Sequence, residues 1–149
     1  GAGVFIVRAD DPNIGVILET STNHGTTQVM AQRYLPEARE GDKRIILVDG
    51  EPVGACLRVP TGVDHRANIH VGARCERSPL TARDREICAQ IGPALKNAGQ
   101  IFVGIDVIGD KLTEVNVTSP TCIHEINALD DVRIDQDLLD AVERRLEER

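Results

Sequence analysis

Two stretches of this chain, "DKRIILVDGEPVGACLRV" (residues 42–59) and "IFVGIDVIGDKLTEVNV" (101–117), limit the folds open to it. Each is a pair of short apolar runs broken by a tight-turn dipeptide, Asp49-Gly50 in one and Gly109-Asp110 in the other. Runs this short on either side of such a pair close back on themselves as β-hairpins, so the strands are antiparallel. Patterns of helical period separate and follow them. Antiparallel strands interleaved with helices make the fold class α+β, and 149 residues suit one domain with a real core.

The other elements are read from their punctuation. "GAGVFIV" is expected to open the chain as a strand. "DDPNIGVILETSTNHG" reads as a helix capped by Asp11, with Pro12 in its first turn and Gly25 at its end. "TTQVMAQRYLP" is strand-like up to Pro36. Residues 60–79, "PTGVDHRANIHVGARCERSP", have little periodicity and read as one long loop, a length that is often functional. "LTARDREICAQIGPALKNAG" is a helix with a Thr81/Asp84 capping box, an apolar stripe of Ile87, Ile91 and Leu95, and an internal Pro93. "SPTCIHEINAL" predicts a short helix capped by Ser119, with Pro120 at its first position. The last helix, residues 134–149, is expected to bury Leu138, Val142 and Leu146.

The second hairpin carries Asp106, Glu114 and Asn116 within otherwise apolar runs. Residues directly opposite on paired strands share a face. A two-residue loop would set Asp106 opposite Thr113 and turn Glu114 away. A three-residue loop, 109–111, sets Asp106 opposite Glu114 and Asn116 opposite Gly104. It leaves Val103, Ile105, Val107, Thr113, Val115 and Val117 on the other face. The three-residue loop separates apolar from polar better and is the expectation. Two carboxylates side by side repel unless a cation or proton lies between them. Two carboxylates and an amide are oxygen ligands that suit magnesium, and Gly104 is expected to leave room for a ligand. The segment runs on into the predicted helix N-terminus with Ser119 and Thr121, a natural place for an anion. A polar sheet face that merely meets water is the plainer alternative, disfavoured by this clustering.

A net charge of −7 argues against a nucleic-acid backbone as partner. No apolar run approaches the roughly 20 residues of a membrane span, and "GAGVFIVRADD" lacks the basic start of a signal peptide. The expected location is cytoplasmic. Cys56, Cys75, Cys88 and Cys122 have no CxxC spacing, so reduced thiols are expected rather than zinc or disulfides. Cys122 is read as a small buried hydrophobe, and His24, His65, His70 and His124 as structural or loop residues.

"DVIGDKLTEVNVTSPT" closely resembles a motif of prokaryotic glutathione synthetases, which are ATP-grasp ligases. "DPNIGVILE", "MAQRYLP", "GDKRIILVDGEPV", "QIGPALK" and "IFVGIDVIGD" resemble that family's segments in the family's order, so the likeness covers most of the chain. It implies an enzyme that uses ATP and magnesium, or manganese, to turn the carboxylate of γ-glutamylcysteine into an acyl phosphate, which glycine then attacks. It implies that Asp106, Glu114 and Asn116 hold the metal, that Tyr34 and Leu35 meet adenine through their backbone, and that Asp42 contacts the nucleotide. Arg44 resembles the arginine that grips γ-glutamylcysteine; a solvated strand-end charge is its plainer reading. Residues 60–79 resemble a mobile lid, with Arg58 and Arg66 as its catalytic arginines. The lid departs from the family's glycine-richer form at Ile69, His70 and Val71. The family's preceding domain and two phosphate-binding lysines have no counterpart in these residues. The chain therefore resembles the C-terminal part of such an enzyme, a homo-oligomer when whole, and is not expected to ligate alone.

Overall fold

The computed structural model describes residues 4–60 and 74–148. They divide into two compact units, residues 1–36 and 37–149. In the first, helix α1 (Ile14–Ser21) follows an Asx turn in which the Asn13 backbone N–H donates to Asp11 Oδ1 at 2.8 Å. Asp11 therefore shapes the turn before the helix, and Asn13 occupies the cap position that was expected of Asp11. Beyond the helix, Asn23, His24 and Gly25 all have positive φ and turn the chain away.

Neither predicted strand forms in this unit: residues 4–7 and 28–35 carry no strand. An extended apolar run becomes a strand only when a neighbour completes its ladder, and none does among the described residues.

The second unit is built on a five-stranded sheet: β1 (Asp42–Val48), β2 (Glu51–Val59), β3 (Arg74–Arg77), β4 (Phe102–Ile108) and β5 (Lys111–Asn116). The order is β3-β2-β1-β4-β5, with every pair antiparallel. A short 3₁₀ turn, Pro36–Arg39, leads into β1. The β1–β2 hairpin closes through Asp49 and Gly50 at φ 53° and 88°, the positive values that a two-residue turn of this hand requires. Strand β3 falls inside the stretch expected to be all loop. Its sequence, Arg-Cys-Glu-Arg, has no apolar alternation, and only its pairing with β2 makes it a strand.

Helix α2 (Ala82–Asn97) covers one sheet face, where Ile87 and Cys88 meet Ile45, Leu47, Ala55, Val103, Ile105 and Val107. The expected capping box is present in full. On the other face, α3 (Ile123–Asp130) and α4 (Ile134–Glu147) pack Ile126, Ile134 and Ala141 on Ile46, Val48 and Cys56. β1 is therefore buried from both sides, a layered arrangement with two apolar clusters. Gly54 admits this packing, since a Cβ there would lie 2.8 Å from both Ile126 Cγ2 and Ile134 Cδ1. The buried stripe of α4 runs through Ile134, Leu138 and Ala141, and Leu146 is exposed rather than buried. Helix α3 begins at Ile123 behind Cys122, which sits at φ 91°. Ser119 therefore does not cap it and Pro120 is not its first residue. Pro120 is buried instead on Gly104, where an added Cβ would meet Pro120 Cβ at 2.6 Å.

Candidate active site

The β4–β5 pairing joins Ile108 to Lys111 and Val107 to Leu112, so the turn has two residues, not three. The register then shifts, and Asp106 pairs with Glu114, Ile105 with Val115 and Gly104 with Asn116. The extra residue is Thr113, whose hydroxyl donates to the Asp106 carbonyl at 3.0 Å. A bulge thus yields the facing pairs that a longer loop was invoked to explain. The predicted apolar face is buried at Val103, Ile105 and Val107, but Val115 on edge strand β5 and Val117 just beyond it are exposed.

Cross-strand alignment lays the polar residues in rows on one face. Cys56, Arg44, Asp106 and Glu114 are successive neighbours across β2, β1, β4 and β5. Cys75, Arg58 and Asp42 form the adjoining row across β3, β2 and β1. Asp106, 3% exposed, is the hub. Its Oδ1 accepts from Arg44 Nε at 2.5 Å, and its Oδ2 accepts from Arg44 Nη2 at 3.0 Å, Arg58 Nη2 at 2.8 Å and Asn116 Nδ2 at 3.4 Å. Arg58 also donates to both oxygens of Asp42, at 2.6 and 2.7 Å. Arg44 is therefore not a solvated strand-end charge. It is buried in a bidentate ion pair, and its Nη1 reaches the Thr121 carbonyl at 3.4 Å.

The electrostatics follow from this wiring. Burial pushes the Asp106 carboxyl upward, but the hydrogen bond from Arg44 and the charge of Arg58 hold it below its ordinary value. Asp42 moves the other way, because desolvation outweighs Arg58 and the charge of Asp106 adds to it. Arg58 is pushed down by burial and more than restored by Asp42 and Asp106. The directions for Asp42 and Arg58 pull apart, and the two short, parallel contacts favour an ionised pair. Glu114 is raised by desolvation first and then by sharing a site with Asp106. Among the described residues no lysine or arginine forms an ion pair with Glu114.

That is where a hard cation fits. The donor set is two carboxylates and an amide, the carboxylates are adjacent, and Glu114 is raised by burial and then by the neighbouring Asp106. The space over Gly104, expected for a ligand, is filled by Pro120 and the Arg44 side chain. Ser119 and Thr121 are exposed on the segment leading into α3, outside the helix end they were expected to form. Tyr34 and Leu35 belong to the first unit, the former exposed and the latter half-buried. Arg66, His65, His70 and the core of the predicted lid lie outside the described residues. A concavity of about 330 Å³ near Val48, Lys96 and Asp137 lies at the opposite end of β1 from the carboxylates. No described helix is long and apolar enough to cross a membrane.

Sequence reasoning missed the hub role of Asp106 toward both arginines. Its signal was present: Arg44, Arg58 and Asp106 all occupy inward positions of apolar strands, where an unpaired charge is not tolerated. It also missed the convergence of three cysteines, which come from elements too far apart in sequence to show a spacing.

The chain is similar to proteins of known family. The family described as prokaryotic glutathione synthetase, ATP-grasp domain, matches residues 1–131. Glutathione synthetase of Escherichia coli K12 is 56% identical over 150 aligned positions, covering all of this chain and 48% of that protein. Those of Pseudomonas putida KT2440 and Pseudomonas aeruginosa PAO1 are 55% and 54% identical, with 47% of each covered. The chain spans about half the length of these curated relatives. A match over most of its residues, together with the carboxylate hairpin in register, shows that the chain belongs to the prokaryotic glutathione synthetase ATP-grasp family.

Proposed function

We propose that this chain supplies the metal-holding part of an ATP-dependent carboxylate–amine ligase that joins γ-glutamylcysteine to glycine. The observation that carries the reading is the pairing of Asp106 with Glu114 and of Asn116 with Gly104, beside two buried arginines. Asp106, Glu114 and Asn116 are the residues that would hold magnesium or manganese, and a divalent ion there neutralises charge on nucleotide phosphates.

The chain's own residues do the rest. Asp106 is kept ionised by Arg44 and Arg58, so its carboxylate stands in place before any ligand arrives. The edge position of β5 leaves Glu114 facing solvent, where an incoming cation can reach it. Arg44 and Arg58 remain the candidates to contact anionic substrate groups, Arg58 sharing a face with Asp42, the candidate nucleotide contact. Tyr34 and Leu35 are the adenine candidates, Ser119 and Thr121 the substrate-side hydroxyls, and Arg66 the lid arginine.

The test is ADP release by the protein carrying this chain. Turnover that requires γ-glutamylcysteine, glycine and divalent metal together supports the assignment. Equal turnover with other acceptors in place of glycine assigns a different ligase, and none with any acceptor rejects ligation.

A further inference from the structure

Cys56 lies at the centre of β2, Cys75 on β3 and Cys122 just before α3, yet their sulfurs all fall within 4.8 Å of one another. Cys56 Sγ and Cys75 Sγ are 3.3 Å apart. Cys56 and Cys122 are buried at 0% and 3% exposure, while Cys75 is half-buried and opens the cluster toward the sheet edge. A soft ion bound to thiolates at about 2.3 Å needs sulfurs roughly 3.7–4.0 Å apart in tetrahedral or trigonal geometry. The Cys56–Cys75 separation of 3.3 Å falls a little short of that value and the other pairs lie within 4.8 Å, so small side-chain rotations would suffice.

Two buried guanidinium groups border the cluster. Arg44 is the cross-strand neighbour of Cys56, and Arg58 that of Cys75. The Cys122 thiol is held below its ordinary value by its hydrogen bond with Cys56, and further by Thr121 and the charges of Arg44 and Arg58. The hydrogen bond with Cys122 and then burial push the Cys56 thiol up, and burial pushes Cys75 up, so a bound cation would replace their protons. The cluster offers three sulfur ligands and no oxygen, which excludes magnesium and calcium and favours thiophilic ions.

We propose that Cys56, Cys75 and Cys122 form a binding site for one soft d¹⁰ cation, Cu(I) or Zn²⁺, separate from the oxygen-ligand site on β4 and β5. Three thiolates from β2, β3 and the start of α3 would enclose the ion and leave a fourth position toward Cys75. Occupancy would tie edge strand β3 to α3.

The experiment uses the purified protein carrying this chain, reduced and freed of metal. Zn²⁺ and Cu(I) are titrated separately against chromophoric chelators, and Co²⁺ serves as a spectroscopic probe for thiolate charge-transfer absorption. The expected result is saturable binding of one ion, a thiolate-to-cobalt band, and a Tm that rises with metal. Cys75→Ser, half-buried on an edge strand and therefore able to fold, should weaken binding at least ~10–100-fold and abolish the band. Cys88→Ser, on the opposite sheet face, should leave both unchanged. Equal affinity of wild-type and Cys75→Ser for both ions would overturn the proposal. So would a Cys56–Cys75 disulfide that forms in preference to metal uptake under mild oxidation, seen as the loss of two hydrogens in intact mass.

Discussion

Replacing Arg58 by Met keeps much of its volume and removes the charge that bridges Asp42 and Asp106. Arg58 is 2% exposed and makes three contacts of 2.6, 2.7 and 2.8 Å with the two carboxylates. Asp106 would keep its bidentate bond to Arg44, so Asp42 bears the loss. At an effective dielectric constant of 20, unit charges about 4 Å apart attract by about 4 kcal/mol. Part of that is offset because the guanidinium no longer has to be desolvated. Breaking a buried pair costs about 3–5 kcal/mol, and we expect Arg58→Met to fall near the lower end because Asp42 can take up a proton. Asp42→Asn should destabilise the wild type by roughly 1–3 kcal/mol through lost charged hydrogen bonds. In the Arg58→Met background it should instead stabilise, because it neutralises a half-buried carboxylate with no partner left. Urea unfolding of the four proteins at neutral pH, compared at unchanged m-value, reads this change of sign. If Asp42→Asn costs the same in both backgrounds to within about 0.5 kcal/mol, Arg58 and Asp42 are not coupled and the electrostatic account of the hub is wrong.

Glu114→Gln should lower ligase turnover at least ~100-fold while moving Tm little, since the side chain is exposed; near-normal turnover at saturating magnesium rejects its role. Deleting Thr113 removes the bulge but leaves Glu114 opposite Asp106, so the protein should fold, with a loss of at least about 0.5–1.5 kcal/mol from the bond its hydroxyl makes to the Asp106 carbonyl; failure to fold would refute the two-residue turn. Asp84 accepts from the Thr81 N–H at 2.8 Å and from Lys43 at 2.7 Å, and although burial opposes it these bonds hold its carboxyl below the ordinary carboxylate value. A depressed carboxyl stabilises above its unfolded pKa and loses that stabilisation as pH falls through its folded value. Wild type should therefore exceed Asp84→Asn by about 1–3 kcal/mol at neutral pH, with the gap closing below about pH 4; a gap that persists to pH 2 would show that charge plays no part. Asp49→Asn should cost about 1–2 kcal/mol in urea unfolding, because Asp49 binds Lys96 of α2 and Arg145 of α4 and so ties both helices to the β1–β2 turn; an unchanged midpoint would show that these bonds carry no net stability.

Both hairpins, the α2 capping box and the facing of Asp106 with Glu114 were legible because their causes are local. A turn dipeptide sets strand direction, a side chain three residues on satisfies a free N–H, and alternation assigns faces. The loop length was misjudged for an instructive reason. Alternation counts which residues must share a face, and an added turn residue and a bulged Thr113 satisfy that count equally.

What the chain's order of residues determined by itself was the α+β class, the family, and the facing of Asp106 with Glu114. Tertiary structure decided everything that depends on a partner distant in sequence. Residues 4–7 and 28–35 have strand composition but no ladder, whereas "RCER" has none of the pattern and becomes β3 because β2 offers it hydrogen bonds. Gly104 suggested an opening, and Pro120 fills it. Arg44 was read as a substrate contact with a solvated charge as the alternative, and the alignment of β1 with β4 set it in a buried pair with Asp106. Cys56, Cys75 and Cys122 showed no spacing because a sheet brings residues together by register rather than by separation along the chain.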